Sequence, residues 1–254
     1  MNDEFYIGWE AKASPGTRKF VRRVTLFLLI AAAGLALALA LVQRSIGVSV
    51  FEWGAVKTFS GILKAGPYPH LLVPRPGAMD AKDSFSSYYL VAPLKHGLDP
   101  AKLSALDGQA VSLQGTLIYR GNQTMVEVLP ATISLADKEA AAPLGGGAID
   151  LGRQTLAGEI VDSKCFLGVM NPGQLLPHRA CAIRCISGGI PPVLVVRQTN
   201  GAAIYLLLVT ADGRPVNQQV LDLVAEPVQI TGEVEKQDGL LILRADPSTY
   251  HRVN

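Results

Sequence analysis

The chain has 254 residues, 49% of them hydrophobic and 17% charged, with a formal net charge of +2. That length and apolar content are enough for one or two domains with cores of their own. Charge near neutrality, with basic residues scattered rather than clustered, argues against a polyanion partner, so no nucleic acid is expected.

The first element is the uncharged run Val24–Val42, VTLFLLIAAAGLALALALV, with Gly34 at its centre. At about 1.5 Å per residue it extends roughly 28 Å, the hydrocarbon thickness of a bilayer. A cleaved signal peptide has an apolar region of about 7–15 residues. The run continues through Leu41 and Val42 past the Ala-x-Ala pattern at 36–40, which favours a retained anchor. Lys12, Arg18, Lys19, Arg22 and Arg23 precede it, and Arg44 is the one basic residue after it before Lys57. The positive-inside rule then makes 1–23 a cytoplasmic tail and 24–42 the transmembrane helix. The expectation is a single-pass protein of a bacterial inner membrane, with the bulk of the chain in the periplasm.

Beyond the span, apolar runs are short and rich in Val, Ile, Leu and Tyr, as in SYYLVAP, QAVSLQGTLIYR, AIYLLLVT and PVQITGEVE. They read as strands, with RGNQ and KQDG as hairpin turns and short helices near 100–106 and 217–224. The pattern repeats. A shift of 117 residues carries Tyr88 onto Tyr205, Val111 onto Val228, Gly115 onto Gly232 and Pro130 onto Pro247. Upstream, Gly61 aligns with Gly158, but the second copy holds about 20 more residues between that glycine and its tyrosine. Five strands with a helix between the third and fourth predict a small closed barrel of the OB type. The fold class is therefore mainly β: an N-terminal transmembrane helix followed by two tandem OB-like barrels. The boundaries expected are 43–134 for the first, 135–152 for a glycine-rich linker and 153–254 for the second, with an insertion at about 163–192.

All three cysteines lie in that insertion, which the first copy lacks. The segment LPHRACAIRCISGG has Pro177 placed for a helix start and Gly188 for its C-cap. A helix there sets His178, Cys181 and Cys185 at i, i+3 and i+7, on one face. Cys165, ending the strand AGEIVDSKC, can close over that face. Three thiolates and an imidazole suit zinc or copper(I). Asp162 and Met170 are candidates for a surrounding role, Asp162 orienting His178 and Met170 as an extra soft ligand. Two other readings stay open. One is a disulfide from Cys165 to Cys181 or Cys185, favoured by an oxidising compartment. The other is a redox-active thiol pair beside Arg179 and Arg184. There is no Cys-x2-Cys-His motif, so no c-type haem is expected.

Cys181-x3-Cys185 with a nearby histidine resembles the copper-binding signature of Sco-type cytochrome oxidase assembly proteins and of the dinuclear copper centre in oxidase subunit II. More broadly, GEIVDSKC followed by HRACAIRCISGGIPP is similar to small bacterial exported β proteins of unassigned function, over about 156–250. The first resemblance implies a copper site and the second an exported β module with a cysteine insertion. Together with the residues, they lead us to expect a membrane-anchored periplasmic accessory protein or subunit of a redox system rather than an enzyme. Its insertion would bind a metal or dock a periplasmic or inner-membrane protein partner. The alternatives are a periplasmic thiol–disulfide redox protein and a scaffold with one structural disulfide.

Overall fold

The structure, a computed structural model, describes residues 13–43, 48–75, 85–136, 147–198 and 202–253. The chain divides into two units, 1–47 and 48–254. In the first, helix α1 (Pro15–Gln43) contains Val24, Gly34 and Val42. It is long and apolar enough to cross a membrane, and it starts within the stretch expected as a tail.

The second unit holds both barrels. Strand β1 (Ser49–Phe51) leads into β2 (Lys57–Lys64), β3 (His70–Pro74) and β4 (Phe85–Val91), then the short helix α2 (Pro100–Leu103), β5 (Ala110–Arg120), β6 (Gln123–Val128) and β7 (Ser134–Leu135). The order β2-β3-β4-β6-β5 closes back onto β2, with β4 and β6 parallel and the other barrel pairings antiparallel. The second copy runs β8 (Ile149–Asp162), helix α3 (Arg179–Ser187), β9 (Pro192–Arg197), β10 (Ala203–Val209), β11 (Pro227–Gln237), β12 (Leu240–Arg244) and β13 (His251–Arg252). Its order β8-β9-β10-β12-β11 closes onto β8, again with one parallel pair, β10 with β12. Both are five-stranded Greek-key barrels of the OB type. The internal repeat holds to the residue at the ends: Val111 pairs with Leu135 and Val228 with Arg252, each partner shifted by 117. Strand β8 begins at Ile149, inside the expected linker, and 137–146 lie outside the described residues.

The repeated glycines have a common cause. A Cβ on Gly61 would stand 2.2 Å from the Leu72 carbonyl oxygen, and one on Gly158 2.5 Å from that of Val195. At both positions the first strand of the barrel bends so closely over the second that only a hydrogen fits.

Strand residues alternate between two kinds of burial. In the first barrel Leu63, Leu71, Leu90, Val111 and Val126 fill the interior. In the second, Ile160, Leu194, Leu206, Leu208 and Val228 do the same. The residues between them face outward yet are also buried. Tyr89, Val91 and Met125 of the first barrel join Val193, Val195, Leu207 and Ile242 of the second in a third cluster, completed by Phe166, Leu167 and Ile190 of the insertion. The barrels therefore share a core. Phe166 is almost fully buried there and stacks under the Arg120 guanidinium at 4.2 Å. Such a ring contributes roughly 2–3 kcal/mol by burial alone.

Polar groups lock the same interface. Lys164, 1% exposed, reaches into the first barrel, where its ammonium donates to Ala92 O at 2.9 Å and Leu94 O at 2.6 Å and pairs with Glu127 at 2.5 Å. Three donors meet three acceptors, which is what allows an ammonium to be buried. Tyr68, whose phenol is pushed up by burial and stays protonated, donates to Asn217 Oδ1 at 2.9 Å and accepts from Val216 N at 3.1 Å. Asn217 in turn donates to Ile186 O and Ile190 O, capping the end of α3 from the side.

Candidate metal centre

The connection from first to second strand is 65–69 in the first barrel and 163–191 in the second. The longer one leaves β8 at Asp162 and turns at once: Cys165–Val169 form a single wide helical turn, started by Asp162 Oδ1 accepting from Cys165 N at 2.8 Å. The chain then passes through a 3-10 turn at Leu176–His178 into α3. Helix α3 ends where Gly188 N donates to Arg184 O and Cys185 O, so Gly188 is the cap its position implied. Ser163 N donates to Pro191 O at 3.2 Å, closing the neck of the insertion.

This path brings the sulfur and imidazole groups together. Cys165 Sγ lies 3.9 Å from Cys181 Sγ and 3.9 Å from Cys185 Sγ. Ligand atoms of Cys165, His178 and Cys181 all lie within 4.8 Å of one another, as do those of Asp162, Cys165 and Cys185. Cys165 belongs to both groups. His178 Nε2 is 2.9 Å from Asp162 Oδ2 in a buried pair. A carboxylate on one ring nitrogen fixes the tautomer and leaves the other nitrogen as a lone-pair donor. Cys165, Cys185 and His178 are buried, while Cys181 is half-exposed. Met170 is exposed and reaches the group through its backbone, donating from N to Cys165 O at 3.2 Å. Arg179 turns away to Glu226 and to Asp222 O.

The three cysteines are free thiols. A 3.9 Å separation is far from the roughly 2.05 Å of a disulfide. It is close to the edge of about 3.8 Å between two sulfurs that share a tetrahedral ion at about 2.3 Å each. Electrostatics distinguish the thiols. A hydrogen bond from Cys165 pulls the Cys185 thiol down, and Lys95 adds to this. The same contact, then burial and the Asp162 carboxylate, push Cys165 up. Either sulfur of the Cys165–Cys185 contact can be its donor. A bound cation takes thiolates rather than thiols, so its binding would release protons. By donor type and spacing each of the two groups of three, which share Cys165, can hold a metal ion.

Two residues that the sequence did not mark complete the surroundings. Lys95, from the loop after β4, places Nζ 2.8 Å from Cys181 Sγ and 3.7 Å from Cys185 Sγ. Its ammonium is held above its ordinary range, first by the hydrogen bond to Cys181. Lys164, next to Cys165, reads locally as a surface lysine. Neither residue has a spacing or motif that ties it to the cysteines.

No family model and no curated protein sequence matches the chain. Among solved structures it is similar to a deletion mutant of the single-stranded DNA binding protein from Thermus aquaticus. The identity is 12%, the match covers 78% of this chain and 93% of that chain, and the TM-score is 0.23. At that distance none of the neighbour's binding properties transfers to this chain. The expectation that the chain has no nucleic-acid partner rested on its net charge alone and is withdrawn. OB-type grooves hold strands by local cations and by stacking, neither of which a whole-chain charge reports.

Proposed function

We propose that this is a membrane-anchored metal-binding accessory protein, whose insertion holds one thiophilic cation at Cys165, His178, Cys181 and Cys185. The observation that carries the reading is the convergence of three sulfurs, 3.9 Å apart along both edges from Cys165, beside a histidine already oriented by Asp162. Zinc is the first choice. Four protein ligands of the Cys3His type make a closed tetrahedral set. A divalent ion also leaves less negative charge among three thiolates and a buried Asp162 than copper(I) does. The expected result is about one zinc per chain in protein purified without added metal, and three reactive thiols on denaturation without reductant. No metal together with one reactive thiol overturns the reading, and copper in place of zinc overturns the choice of ion.

The charge asymmetry about α1 supports a cytoplasmic N-terminus and barrels on the periplasmic side of a bacterial inner membrane. Protease added to spheroplasts is expected to remove the barrels; full protection reverses the orientation.

Thiol–disulfide exchange is the second reading, favoured by one observation: Cys165 reaches two sulfurs, both beside a lysine ammonium. It requires a Cys165 disulfide that forms and opens reversibly against a glutathione or dithiothreitol couple.

A further inference from the structure

We propose that Lys95 makes the metal centre a property of both barrels: its ammonium offsets the negative charge that the thiolates leave on a bound cation, and so sets the affinity. This rests on the metal reading above and adds to it a residue that no ligand motif contains.

The charge to be offset is large. Zinc on three thiolates and a neutral imidazole carries a net −1, and the fully buried Asp162 carboxylate stands next to it. Two neighbouring cations are engaged elsewhere. Lys164 is held by Glu127 and two carbonyls, and Arg179 by Glu226 and Asp222 O. Lys95 lies on the sulfurs themselves, at the rim where Cys181 meets solvent.

Its position is built from both sides. Lys164 Nζ holds Ala92 O and Leu94 O, gripping the loop just before Lys95. Leu94 adopts a left-handed conformation, φ 61°, while its exposed side chain gains no burial. For a non-glycine residue this conformation is strained and persists only where surrounding contacts impose it. After Lys95, Gly97 N donates to Gly188 O at 2.9 Å. A Cβ on Gly188 would stand 2.0 Å from Lys95 O, and one on Gly97 2.0 Å from Gly189 O. The glycine pair after Cys185 is therefore the space through which the first barrel's loop crosses to reach the sulfurs. A strained loop, a buried clamp and a glycine crossing all deliver one ammonium to one pair of thiols.

The test is competitive chelator titration of Zn2+ on the full chain, with Co2+ as a spectroscopic probe. Lys95→Met is expected to weaken Zn2+ binding about tenfold at low salt. The deficit should shrink as salt rises to 1 M, because the rim is exposed and screening removes a charge effect there. The tetrahedral Co2+–thiolate spectrum is expected to stay unchanged, Lys95→Arg to retain most of the affinity, and Lys102→Met on α2 to behave as wild type. Wild-type affinity in Lys95→Met overturns the proposal. So does a salt-independent loss with an altered Co2+ spectrum that arginine does not rescue, which marks a purely structural role. A wild-type chain that takes up neither ion overturns the metal reading itself, and this proposal with it.

Discussion

Cys165→Ser is expected to weaken zinc binding by about 10^2–10^3-fold, while the apo protein keeps its barrels. Cys165 is shared by both ligand groups and is the one sulfur within 3.9 Å of each of the others. A structural zinc site is worth roughly 10–16 kcal/mol over four ligands, so one thiolate carries about 3–4 kcal/mol, or some 10^2–10^3 in affinity. Serine keeps the shape and a hydroxyl donor for Cys185, so the apo cost is small by comparison, about 1 kcal/mol. Chelator titration alongside a thermal melt of the apo protein separates the two quantities. Zinc affinity within threefold of wild type places the ion elsewhere. Cys181→Ser is the milder change on this geometry, because Cys181 lies at the exposed rim.

The second large effect concerns the joint between the barrels. Lys164→Met is expected to destabilise the two-barrel unit by about 3 kcal/mol, the low end for breaking a buried pair. Glu127 is left with a carboxylate 16% exposed and no cation, and the carbonyls of Ala92 and Leu94 lose their donor. Adding Glu127→Leu should recover much of the loss, since removing both partners of a buried pair removes the uncompensated charge. Denaturant unfolding of the wild type and of both variants measures this. A change under about 1 kcal/mol in Lys164→Met would mean that the ammonium is held no better than at a surface.

The apolar runs look different once this joint is known. YLLLV and PVLVV are continuous rather than alternating, although each belongs to a small barrel that needs only one apolar face. Leu206 and Leu208 fill the interior, while Leu207 and Val209 pack against the first barrel. A strand buried on both faces shows no period of two, so the runs marked strands but could not reveal what covers their second side.

What is local or repeated was legible in the residues: the apolar helix, the strand grammar, the duplicated barrel with its bending glycines, and a short helix carrying Cys181 and Cys185, although His178 precedes it in a 3-10 turn. Each depends on residues within a few positions of one another, or on the same pattern occurring twice. The tertiary structure alone decided that Asp162 sits on His178, that Met170 stays outside, that Lys164 is buried and that Lys95 reaches two sulfurs 86 and 90 residues away. Those facts depend on how one barrel docks on the other. Docking is set by shape and burial summed over a whole face, and no single residue spacing records it.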